Sequence, residues 1–126
     1  MTDILKSTWL DLVAPLFRRP KRVQVAALCY REKKNRKEVL LITSRDTGRW
    51  ILPKGWPIDG LDEAGAALQE AREEAGVKKG EIANIPLGTF NYDKRMDSGA
   101  LTPVEAQVFE VKVQDMRDEF PESDER

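Results

Sequence analysis

Residues Gly55–Val77 read GWPIDGLDEAGAALQEAREEAGV, and the placing of the glutamates in this stretch decides how the whole chain is read. Asp62 is suited to be a helix N-cap and Gly76 stands where a C-cap glycine belongs, so a helix is predicted from Asp62 to Ala75. On a wheel of about 100° per residue, Glu70, Glu73 and Glu74 fall at i, i+3 and i+4, within roughly 100° of one another. Ala64, Ala67, Leu68, Ala71 and Ala75 centre about 120° away, a small apolar face that can approach a sheet closely. Like charges at this spacing destabilise a bare helix, and a divalent cation would reverse that penalty. An arbitrary E-x-x-E-E is usually a solvated edge. Here a glycine turn before the helix, an alanine-rich face and the abrupt stop at Gly76 favour a built carboxylate site.

Composition narrows the chemistry. The 126 residues suit one core, with 40% hydrophobic and 34% charged residues and a net charge of −1. The chain has no histidine, which removes histidine bases, Ser-His and Cys-His nucleophiles and His-ligated zinc. One cysteine, Cys29, makes neither a disulfide framework nor a thiolate cluster, and reads as a small core residue. Any metal chemistry must then use oxygen ligands, which favour Mg2+, Mn2+ or Ca2+. The near-neutral charge argues against a large nucleic-acid surface and so against DNA or RNA as partner. No apolar run approaches a membrane span, and Met1-Thr2-Asp3 lacks a signal peptide's basic start. The expectation is a cytoplasmic protein.

Outward from the helix, Ile4, Leu5, Trp9, Leu12, Val13, Leu16 and Phe17 predict an amphipathic helix over residues 3–17, ended by the basic turn Arg18–Arg22. Residues 1–20 are thus set apart from a domain over 21–126. Strands are expected at Val23–Tyr30, Val39–Thr43, Trp50–Leu52, Ile82–Tyr92 and Val104–Val113, with a charged turn at Arg31–Lys37. Pro53-Lys54-Gly55 is read as a break, Trp50 as a core residue, and Gln114–Arg126 as irregular. Strands on both sides of one central helix imply an α+β fold with a mixed sheet.

The stretch Gly55–Val77 resembles the Nudix box, G-x5-E-x7-R-E-U-x-E-E-x-G-U, in which U is apolar. Gly55, Glu70, Ala71, Glu73, Glu74, Gly76 and Val77 stand at matching positions, whereas Leu61 replaces the first glutamate and Gln69 the arginine. In the family those two side chains brace the loop against the helix. Their joint loss leaves no unpaired buried charge and suggests apolar, neutral packing instead. The resemblance implies a Nudix fold and Mg2+-dependent hydrolysis of a phosphoanhydride, with Mn2+ as a substitute. It implies Glu70 and Glu74 as metal ligands with the Lys54 backbone carbonyl, and Glu73 as a ligand or the general base. Glu105 and Glu122 are candidates for a further carboxylate.

The flanks Ala27–Arg31, Leu40–Arg45 and Gly48–Gly55 look like those of diphosphoinositol polyphosphate and diadenosine polyphosphate hydrolases. By that likeness Arg22, Ser44, Arg45, Lys94 and Arg95 would grip an anionic small-molecule substrate, and Trp56 is the better-placed aromatic contact. Such proteins continue into a C-terminal helix, which this sequence lacks. A chain cut short is favoured over residues 3–17 covering the sheet, an arrangement that would leave a homodimer open. The different-class alternative is a noncatalytic sensor of a phosphorylated metabolite, which the changes at Leu61 and Gln69 support. Hydrolysis of RNA 5′ ends is a weaker third reading.

Overall fold

The structure is a computed structural model and describes residues 21–45 and 47–125. The helix and basic turn expected over residues 1–20 lie outside the described residues. The elements are β1 (Arg22–Lys33), β2 (Arg36–Val39), β3 (Ile42–Thr43), β4 (Trp50–Ile51), β5 (Lys54–Gly55), α1 (Glu63–Ala75), β6 (Val77–Ile82), β7 (Gly88–Arg95) and β8 (Leu101–Met116).

The sheet is organised around two long parallel strands. β1 and β8 run side by side from Arg22 opposite Val104 to Tyr30 opposite Lys112. Each takes two antiparallel partners on its outer edge. β1 is paired by β5 at Val25 and Ala26 and by β2 from Tyr30 onward, while β8 is paired by β7 along its first half and β6 along its second. Lys34 and Asn35, both at positive φ, make the two-residue turn between β1 and β2, as hairpin twist demands. Pro103 falls opposite Asp93 and before the pairing with β1 begins at Val104, so its missing N–H breaks no central ladder.

One sheet face is covered by α1. Ala64, Ala66, Ala67 and Ala71 meet Val25, Ala27, Cys29, Phe109 and Val111 in a single buried cluster. Small helix residues bring the backbone of α1 close to the sheet, and the large side chain Phe109 contributes roughly 1.5–3 kcal/mol through burial. Burial pushes the Cys29 thiol up to about 12, which marks it as a packing residue. On the opposite face Ala26, Ala106 and Val108 pack with Leu28, Leu52 and Phe90. This is the α+β, mixed-sheet architecture expected.

Several boundaries differ from those read off the sequence. Pro53-Lys54-Gly55 is no break, since β5 pairs with β1 there. The segment expected as one strand over Ile82–Tyr92 is split into β6, which begins directly after Gly76, and β7. β6 carries Lys78, Lys79 and Glu81 on a sheet edge, where apolar periodicity is not required. β8 runs to Met116, beyond the Val113 limit. Trp50 is 71% exposed rather than core, because β3 and β4 form a separate two-stranded ribbon away from the main sheet.

The ends of α1 are as predicted. The Asp62 side chain accepts the Gly65 N–H at 2.7 Å, and Gly76 adopts the left-handed conformation with φ 75°. The Gly76 carbonyl then accepts the Arg117 N–H at 2.7 Å, and a Cβ at Gly76 would lie 2.8 Å from the Arg117 carbonyl oxygen and against the Phe120 ring. A Gly76→Ala variant is therefore expected to lose about 1–3 kcal/mol of stability, from left-handed strain and this crowding together. Urea unfolding checks it; a midpoint equal to wild type would mean that the tail does not pack there.

Candidate active site

A cleft of about 960 Å3 opens where α1, β5, the β3–β4 turn and β7 meet, lined among others by Glu70, Glu74, Lys54, Arg45, Lys94 and Arg95. Its acidic wall comes from α1. Glu74 is only 7% exposed, and its carboxylate accepts the Lys54 N–H at 2.9 Å. The short strand β5 therefore holds Glu74 through its backbone. Glu70 lies over Gly55, and a Cβ on that residue would run into the Glu70 carboxylate. The glycine matters here for space: Gly55 is opposite Val25 on the helix-covered face, and a side chain there would have to displace the acid from this position.

Glu73 is placed differently. It does not line the cleft, and its Oε1 accepts a hydrogen bond from the Gln69 amide at 2.9 Å. Gln69 thus makes a contact of its own at the position where packing alone was expected. Leu61 is 47% exposed, so an apolar replacement for the brace is not formed. Among the described residues, no three acidic side chains are already gathered around one point. Glu70 and Glu74 are hard oxygen donors on adjoining turns of one helix, the donor type that could hold a divalent cation, and Gly55 leaves room for the Glu70 carboxylate.

This combination, a helix with capped ends whose glutamates meet a glycine strand on a mixed sheet, agrees with a comparison across the whole domain. The NUDIX domain model matches residues 20–124. The chain belongs to the Nudix family. Over 74 residues this Nudix chain is 38% identical to diphosphoinositol polyphosphate phosphohydrolase 3-beta of Homo sapiens, a match covering 57% of this chain and 44% of that protein. Its identity to diphosphoinositol polyphosphate phosphohydrolase 2 of Homo sapiens is 37% over 73 residues, or 57% and 39% of the two chains. The chain thus spans less than half the length of these curated relatives. Among solved structures, the C. elegans Ap4A hydrolase superposes with a TM-score of 0.58 at 25% identity, covering 78% of this chain and 74% of that one.

The Nudix chain's cleft also has cationic and aromatic lining. Lys94 and Arg95 at the end of β7 line it, and Arg95 Nη1 donates to the Gly99 carbonyl at 3.3 Å. Ser44 shapes the β3–β4 turn: its Oγ is 2.6 Å from Thr47 Oγ1 and accepts the Arg49 N–H at 3.1 Å. Arg45 lines the cleft and is ion-paired with Glu122 and Glu125. Its pKa is raised, first by the hydrogen bond to Glu122 and then by the surrounding carboxylate charges, Glu74 among them. Arg22 does not line the cleft; its guanidinium stacks 4.4 Å from the Trp56 ring centroid, and Trp56 does line it. Glu105 is part-buried on β8 opposite Asn91, outside the cleft lining. Glu122 is paired with Arg45, a role distinct from the further carboxylate ligand expected of it.

Sequence reasoning missed Gln24 and Tyr92. Gln24 is almost fully buried, and its Oε1 accepts a hydrogen bond from the Tyr92 hydroxyl. Tyr92 is pushed up to about 12, mainly by burial and then by the Glu74 charge, and Lys54 Nζ sits 5.2 Å from its ring centroid. A polar residue between Val23 and Val25 on a central strand was the available signal. Among the described residues no helix is long and apolar enough to cross a membrane.

Proposed function

We propose that this protein hydrolyses a phosphoanhydride bond in a small, highly phosphorylated molecule, of the nucleoside diphosphate-linked, diadenosine polyphosphate or diphosphoinositol polyphosphate kind, with Mg2+ as cofactor and Mn2+ as substitute. The observation that carries the reading is that Glu70 and Glu74 share the lining of one cleft with Lys94, Arg95 and Arg45. The names of the matched relatives support the substrate class.

Glu70 and Glu74 would hold the divalent ion, with the Lys54 carbonyl as a further oxygen. A bound Mg2+ supplies neutralisation of diphosphate oxygens and orients water for in-line attack. Lys94 and Arg95 bind the phosphates, as forked and point cations do. A carboxylate of α1 takes the proton from the attacking water; Glu73 has this role when its side chain turns from Gln69 towards the cleft. The part-buried Tyr92–Gln24 hydrogen bond ties β7 to β1 within the cleft lining and stiffens it there.

A second reading, a noncatalytic sensor of a phosphorylated metabolite, is favoured by one observation, the hydrogen bond that keeps Glu73 on Gln69. An activity screen over diadenosine polyphosphates, diphosphoinositol polyphosphates and nucleoside diphosphate derivatives, with Mg2+ and Mn2+ and both products identified, separates the two. Turnover of at least one compound is the expected result. Metal-dependent binding by calorimetry with no product over hours would replace the enzyme by the sensor.

A further inference from the structure

The segment after β8 ties the far end of α1 to the β3–β4 turn. The Arg117 N–H donates to the Gly76 carbonyl at 2.7 Å and the Glu122 N–H to the Glu73 carbonyl at 3.1 Å, so this segment caps the C-terminal carbonyls of the helix. Phe120 lies over Gly76. From this anchored position the Glu122 side chain, 16% exposed, reaches Arg45 Nη2, and Glu125 accepts from Arg45 Nε at 2.8 Å. Nε and Nη2 form one edge of the guanidinium plane. Of its five N–H donors, those on Nη1 and the second on Nη2 form the other fork. Among the described residues that Nη1 side is not engaged, and Arg45 lines the cleft that holds Glu70 and Glu74.

We propose that Glu122 is a positioning residue for Arg45: by holding one edge of the guanidinium from a strap fixed to α1, it presents the other edge to a phosphate in the cleft. An arginine on a solvent-exposed turn otherwise loses rotamer freedom whenever it grips a ligand, and a fixed carboxylate removes much of that loss beforehand. The strap also sets the distance between the turn and the helix, because one residue, Glu122, caps Glu73 with its backbone and holds Arg45 with its side chain. Glu125, with its side chain half exposed, adds a solvent-screened and therefore weaker pairing at Nε on the same held edge.

This inference rests on the phosphate-binding reading of the cleft, and the test separates the two. Binding of inorganic tripolyphosphate is measured by calorimetry for the whole chain, for Glu122→Gln, Arg45→Lys and their double variant, and for Glu125→Gln. Kd is expected to rise about tenfold in Glu122→Gln, the loss of one charge-assisted hydrogen bond, and by no more than about twofold in Glu125→Gln. In turnover the rise in KM should exceed any fall in kcat. The losses in Glu122→Gln and Arg45→Lys should not add in the double variant, since both break one unit. Additive losses, or an unchanged Kd in Glu122→Gln, would sink the positioning role while leaving the cleft reading intact. Tighter binding in Glu122→Gln would overturn it too, showing that the carboxylate competes with phosphate. A wild-type chain that ignores tripolyphosphate would take down the cleft reading and this role with it.

Discussion

A Glu74→Gln variant is expected to lose at least two orders of magnitude in kcat/KM while keeping the fold. Glutamine has the same shape and retains an oxygen that accepts the Lys54 N–H, so the contact between α1 and β5 survives. What disappears is the charge. Removing one of three like charges at i, i+3 and i+4 relieves repulsion worth a few tenths of a kcal/mol, so stability should hold or rise slightly. A hard divalent cation, by contrast, loses an anionic oxygen ligand, and with it the charge that orients water and neutralises diphosphate; losses of a catalytic carboxylate reach about 100- to 10,000-fold. The measurements are kcat/KM with Mg2+, Mn2+ affinity by electron paramagnetic resonance, and thermal unfolding. Activity within about threefold of wild type would remove Glu74 from the metal site. A large loss of stability would mean instead that its charge serves the fold.

The second large effect is expected from Gly55→Ala. Gly55 is not among the glycines at positive φ, so alanine meets no conformational obstacle, and the added methyl group tests space alone. That space belongs to the Glu70 carboxylate. Either Glu70 swings aside or β5 moves off β1, and a shift of about 1 Å in a reacting group can lower rates about 100-fold. Gly88→Ala is the control, since a Cβ there meets nothing and activity should stay within about twofold. Shortening the acid in a Gly55→Ala, Glu70→Asp double variant should restore part of the lost metal affinity. If Gly55→Ala binds Mn2+ as wild type does, Glu70 is not where the metal sits.

The helix α1 was legible in the sequence because its signals are local. Asp62, the alanine face and Gly76 act within a few turns, and all three do in the structure what their chemistry suggests. β5 was hidden for the opposite reason: two residues have no periodicity, and their strand character comes from Val25 and Ala26 across the sheet. β6 was obscured by its charges, which an edge strand tolerates. In the cleft, Glu70, Glu74, Lys94, Arg95 and Arg45 were named from resemblance and do share one space. The pairing of Arg45 with Glu122 joins residues 77 positions apart, and no local pattern announces it. The same holds for Gln24 with Tyr92. The role of Gln69 was misjudged because a neutral residue in place of an arginine suggested loss, whereas its amide still reaches a glutamate, Glu73, one turn along.

The parallel pairing of β1 with β8 has a kinetic consequence. Arg22 and Val104 face each other at the start of that ladder, so the two central strands meet only when nearly the whole domain lies between them. Long-range parallel pairings slow folding, because a large loop must close before any of its contacts form. On the ribosome β1 must wait, with both faces apolar, until β8 has emerged. The short hairpin to β2, closed by Lys34 and Asn35, offers the end of β1, Tyr30–Lys33, an early local partner during that delay.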